Sequence, residues 1–198
     1  MRCVFDTNIW IYAYEGKYAI DMLLDILARA IRAGIIVSPS GVIDELKNSD
    51  EVKEPEHVRE WVIQHREWLE APLREDGFDA KIEREVERLS NTYRKLAVPD
   101  NDADYYVVAW GKVLGIPVIT GEKGQGTAQR DNYYIRKIPD VCEKEKMDCY
   151  SFLEFAWKQG WISESQFLLL GDASPVADKR RDKKKKARPQ QKPASKLF

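Results

Sequence analysis

Cysteine is scarce in this chain: Cys3, Cys142 and Cys149 are the only three in 198 residues. An odd, sparse set makes neither a disulfide framework nor a C-x-x-C metal pair. A reducing, cytoplasmic location is therefore expected, with each thiol most simply a small buried apolar group. No stretch approaches the roughly 18 to 20 consecutive apolar residues of a membrane span, so no membrane partner is expected. Asp6 interrupts the first apolar run and no A-x-A-like cleavage site follows, so no secretory leader is expected. A P-loop is missing as well. The stretch "GEKGQGTAQRDNYY" has glycines but not G-x-x-x-x-G-K-[ST], and it reads as a mobile substrate loop. No internal repeat is present.

What the chain does have is enough apolar content, 43%, for one core. Its charge is divided unevenly. From Ser174 onward ten Lys or Arg stand against two Asp, a net of +8, while residues 1–173 carry 22 basic and 31 acidic side chains, a net of −9. The last stretch is rich in Lys, Pro, Gln and Ala and cannot bury enough surface to offset the entropy of ordering. Residues 1–162 are thus expected to form the domain. Residues 163–198 are an extension, disordered and basic from about 174. Such a tail is either a loose tether to a phosphate backbone or a solvated end.

Hydrophobic patterning gives four short strands: 2–6, 35–38, 116–120 and 147–151. Helices are expected near 9–16, 18–34, 40–48, 54–72, 78–96, 100–115, 139–145 and 152–161, several punctuated by Gly or Pro. Short apolar strands alternating with longer helices indicate an α/β fold, a three-layer α/β/α sandwich with a mainly parallel sheet. In such sheets the working crevice lies beyond the carboxyl ends of the strands.

Four acids gather near that edge. Asp6 ends the first strand, Glu45 sits one turn into the helix after the second, Asp104 lies early in the helix before the third, and Glu122 follows the third. Four carboxylates in one pocket repel one another. Within these segments the nearest basic residues in sequence are Lys47 and Lys123. A divalent cation resolves the conflict, and oxygen ligands without His or Cys favour Mg²⁺ or Mn²⁺. Asp100 and Asp104 are spaced to share a helix face, while Asp102 could shape the helix start. Plainer roles stay open: Asp6 as a helix N-cap, Glu45 as a solvated helix residue, and "DNDAD" as a complement to the helix dipole.

The stretches "VFDTNIWI", "SGVIDELKN" and "NDADYYVVAWGKVLGIPVITGEK" together resemble the PIN-domain nucleases, whose best-known members are ribonuclease toxins of prokaryotic toxin–antitoxin pairs. The resemblance covers roughly residues 1–160, and "KIPDVCEKEKMDCYSFLEF" resembles an uncharacterised prokaryotic subfamily. It implies Mg²⁺- or Mn²⁺-dependent hydrolysis of RNA. Asp6, Glu45, Asp104 and Glu122 would be catalytic, the first three as metal ligands. Thr7, Asn8, Asp100 and Thr120 would support them. Glu122 stands where the family commonly has Asp, which sets its carboxylate one methylene further out. An antitoxin protein and a second copy of the chain are admissible partners. The alternative is a catalytically weak PIN module that binds RNA or a protein. A phosphatase with an Asp nucleophile ranks last, because Asn8 occupies the place of its second Asp.

An acidic pocket needs basic residues beside it to accept nucleic acid. Lys47, Lys123 and Arg130 are the substrate-binding candidates, with Lys112, Arg136 and Lys137 as further ones. Trp10, Tyr12, Tyr105, Tyr133 and Tyr134 could stack on bases, although Trp10 and Tyr12 have the apolar neighbours of core residues.

Overall fold

The computed structural model describes residues 1–14, 21–48, 56–94, 96, 102–129, 131–132 and 135–164. Asp100, Arg130, Tyr133, Tyr134 and the basic tail lie outside the described residues, as does the side chain of Tyr12.

Four strands form one sheet: β1 (Cys3–Phe5), β2 (Ile36–Val37), β3 (Val118–Ile119) and β4 (Cys149–Tyr150). Their order is β2-β1-β3-β4, and each neighbouring pair is parallel. The residues of β1, β2 and β3 are all buried, as the continuous apolar runs of a parallel sheet covered on both faces require. The register aligns Val37, Val4, Val118 and Cys149 in one row. Side chains alternate along a strand, so Phe5, Ile119 and Tyr150 occupy the opposite face.

Helices cover both faces. α7 (Ala103–Leu114) lies over the valine row and stops at Gly115, whose φ of +64° is the left-handed cap conformation. Gly111 sets how closely α7 sits: a Cβ there would come within 2.8 Å of Val118 and of Met147. On the other face, α1 (Thr7–Tyr14) and α9 (Phe152–Lys158) meet Phe5. The Phe5 ring stands 5.2 Å from Trp10, 6.2 Å from Phe152 and 5.6 Å from Phe155. α2 (Asp21–Arg32) connects β1 to β2. α3 (Ser40–Asn48), α4 (Glu56–Gln64), α5 (Arg66–Leu69) and α6 (Phe78–Thr92) then lead to α7, and α8 (Ile138–Glu145) precedes β4. This is the expected three-layer α/β/α arrangement. Among the described residues, no helix is long and apolar enough to cross a membrane.

One element departs from expectation. The single helix read over 54–72 is divided at His65 into α4 and α5, with a 3₁₀ turn at Ala71–Arg74. His65 is buried, stacks on Trp61 at 4.2 Å and bonds the Trp61 carbonyl through Nδ1 at 2.8 Å. The Leu69 carbonyl then accepts the Ser38 N–H at 3.1 Å. These ties bend the chain back to β2, and no local spacing encodes them.

Candidate active site

Strand order fixes where a site belongs. The chain leaves β1 for β2 on one side, then returns past β1 to β3 on the other. The crevice opens at the carboxyl ends of β1 and β3, where the order reverses. Asp6 follows β1 and Thr120 follows β3, and the two are joined there: Thr120 Oγ1 donates to Asp6 Oδ2 at 2.7 Å.

Asp6 is 2% exposed. Its Oδ1 accepts the Thr7 N–H at 2.7 Å, and its Oδ2 also accepts the Asn8 side-chain amide at 3.0 Å. Three donors occupy three of roughly four lone-pair sites of a carboxylate. Burial pushes the Asp6 pKa up to about 6, against the pull of Thr120 and Asn8; the Glu122 charge adds to the rise. Thr7, Asn8 and Thr120 thus all bond the Asp6 carboxylate. The simple N-cap reading of Asp6 is too small, since its carboxylate also ties two strands together.

Thr7 Oγ1 donates to Glu45 Oε2 at 2.5 Å, which brings α3 to the same place. α3 reaches α7 through Gly41, where a Cβ would lie 3.5 Å from the Ala103 Cα. Asp104 is next on α7. Burial lifts its pKa to about 8, helped by the charges of Asp6, Glu122 and Glu45, and Lys137 pulls it back. Carboxyls from four separate segments therefore act on one another at one edge of the sheet.

Glu122 is held differently. Its Oε1 accepts from the Lys137 ammonium, and its Oε2 accepts the Ile138 N–H at 2.9 Å. Its own N–H donates to Thr120 Oγ1 at 3.0 Å. Among the described residues, the cation paired with an acid of the pocket is Lys137, fifteen residues along the chain from Glu122. Lys47 and Lys123 stand exposed, two residues from Glu45 and one from Glu122.

The donor set suits a hard divalent cation: Asp6, Glu45 and Asp104 offer oxygen alone, with negative charge in excess of Lys137. Among the described residues, no three acidic, His or Cys side chains are already drawn together tightly enough to hold one. Hydrogen bonds already engage three of the four carboxylates: Asp6 through Thr7, Asn8 and Thr120, Glu45 through Thr7, and Glu122 through Lys137 and Ile138. A cleft of about 390 Å³ is lined by none of these four acids. Ser40, Gly41, Glu83, Asp102, Tyr106 and Trp110 are among its walls. Asp102 is the exposed N-cap residue of α7 and makes no side-chain capping bond.

Three other expectations change. Lys112 is not beside the site: it pairs with Glu145 and Glu85. Tyr105 is buried and its hydroxyl donates to the Tyr93 carbonyl at 2.8 Å, so it offers no face to a base, while Trp10 is buried as its apolar neighbours led one to expect. The described part of the glycine loop is gripped. Asp140, 2% exposed, accepts the N–H groups of Gln125 at 2.8 Å, Gly126 at 2.9 Å and Thr127 at 3.2 Å, and the Thr127 hydroxyl at 3.1 Å.

A family described as a domain of unknown function (DUF4411) matches residues 3–162. The chain belongs to the DUF4411 family. No curated protein and no solved structure matches it. The matched span runs from β1 to just past α9, so it contains all four acids and Lys137.

Proposed function

We propose that this DUF4411 chain is a Mg²⁺- or Mn²⁺-dependent ribonuclease of the PIN type that hydrolyses RNA phosphodiester bonds. In keeping with the resemblance, we place it as the cytoplasmic toxin of a toxin–antitoxin pair. The observation that carries the reading is that Thr7 bonds both Asp6 and Glu45 at the switch point of the sheet, with Asp104 near enough that burial and their charges push its pKa to about 8. Acids brought together at such a cost to folding fit a site that a cation completes.

Asp6, Glu45 and Asp104 would hold the ion. A bound divalent cation supplies a water of lowered pKa and neutralises charge on the phosphate. The chain's own residues do the rest. Thr7 N–H, Asn8 and Thr120 fix the Asp6 carboxylate and leave about one lone-pair site on Oδ1. Thr7 Oγ1 orients Glu45, an outer-shell task worth roughly tenfold to a hundredfold at metal sites.

Asp6→Asn and Asp104→Asn should each bring Mn²⁺-dependent cleavage of a labelled RNA below about one hundredth of the wild-type rate. That is the scale set by several kcal/mol of metal stabilisation. Both variants should stay folded by circular dichroism. Cleavage at the wild-type rate by either variant would remove the assignment.

A second reading is a catalytically weak PIN module that binds RNA or a protein partner. The capture of Glu122 by Lys137 and Ile138 favours it, because it takes the fourth acid away from the cation. Mn²⁺ uptake without any cleavage by the wild-type chain would select this reading.

A further inference from the structure

Glu122 is one methylene longer than Asp, and that extra reach is used. Its side chain is 11% exposed and spends both oxygens on α8, one on the Lys137 ammonium and one on the Ile138 N–H. Lys137 is the N-cap residue of α8, with extended backbone at φ −127° and ψ 138°. Its side chain is 37% exposed, so it faces both the acids and solvent. The connection to the site is continuous. Asp6 Oδ2 accepts from Thr120 Oγ1, Thr120 Oγ1 accepts from the Glu122 N–H, and the Glu122 carboxylate accepts from Lys137. An ammonium has three donors, and the ion pair uses one of them.

We propose, resting on the nuclease reading above, that Lys137 meets the RNA phosphate at this site and that Glu122 is its positioning residue, not a cation ligand. RNA brings negative charge to a pocket that already holds four carboxylates. A cation anchored at the pocket rim answers that repulsion, and the Glu122 clamp keeps it from wandering. The same positive charge acts against a divalent ion held by Asp6 and Asp104. Lys137 therefore strengthens phosphate binding while weakening cation binding, a pair of opposite effects that a purely structural lysine would not produce.

The test uses the 198-residue chain as wild type, Lys137→Met and Lys137→Arg, with Lys137→Gln as a second neutral variant should Lys137→Met melt early. Mn²⁺ binding is measured by calorimetry. Binding of a fluorescein-labelled single-stranded RNA is measured in EDTA across a salt series. Lys137→Met should bind Mn²⁺ roughly threefold tighter or more, since a nearby like charge is removed. It should bind RNA about five- to tenfold more weakly near 50 mM salt, with a log–log salt slope shallower by about 0.7, as expected when one phosphate is no longer neutralised. Lys137→Arg should restore the slope. An unchanged slope in both neutral variants, or a loss of Mn²⁺ affinity alongside RNA affinity, overturns the proposal. If the wild type takes up no Mn²⁺, the nuclease reading fails, and the RNA salt slope still decides whether Lys137 meets phosphate.

Discussion

Asp104 shows at the scale of one residue what the site costs the fold. Burial and the charges of Asp6, Glu122 and Glu45 raise its pKa from 3.8 to about 8. The sign follows directly. A carboxyl whose folded pKa is raised binds its proton more tightly when folded, so its ionisation destabilises the chain at every pH above the unfolded value near 3.8. Asp104→Asn removes that burden with little change of shape. At pH 8 without divalent ions it should stabilise the protein by on the order of 2 kcal/mol, a rise of about 4–8 °C in melting temperature. A lower melting temperature would mean that the carboxylate is held by favourable contacts and not crowded by its neighbours.

Glu145 works the opposite way and at the scale of elements. Burial alone would raise its pKa, but hydrogen bonds from Lys112, Tyr93 and Arg88 outweigh that and bring it from 4.5 down to about 2. Those partners lie on α7, at the C-cap of α6 and on α6, so one carboxylate on α8 is tied to both helices. A depressed carboxylate stabilises the fold above pH 4.5 and loses that contribution as pH falls toward about 2. Glu145→Gln should therefore lower the urea-unfolding free energy at pH 7 by about 2 kcal/mol, discounted for partial screening, with the gap closing below pH 4.5. A gap that persists unchanged at pH 2 would show a packing effect instead. The contrast between local and distant ties also explains how much could be read from the sequence. Helix and strand positions were legible because their apolar periods are local. Asp6 and Thr120 were legible as a pair because the carboxyl ends of parallel strands meet. Glu122 with Lys137, Asp140 with the 125–127 loop, and the break at His65 were not, because each depends on irregular chain folding back over a distance that no period records.

For the whole molecule the governing quantity is the split of charge, −9 over residues 1–173 and +8 beyond. Lys137 can balance part of the pocket but not the acidic body around it. An RNA approaching that body is repelled over about 10 Å at 0.1 M salt, the range of a Debye length. The tail is the region that offsets most of this charge, bringing the 198 residues to −1. Its ten basic side chains lie outside the segment matched by the family, so they are separable from the fold on sequence grounds. A chain ending at residue 173 should therefore melt within about 2 °C of the 198-residue chain, a shift worth less than roughly 1 kcal/mol. Its affinity for single-stranded RNA should drop at low salt. The two chains should converge as salt rises, because each phosphate that the tail neutralises adds about 0.7 to the steepness of the salt slope. Equal affinities at low salt would make the tail a solvated end with no part in RNA capture. A large fall in melting temperature would make it part of the folded structure.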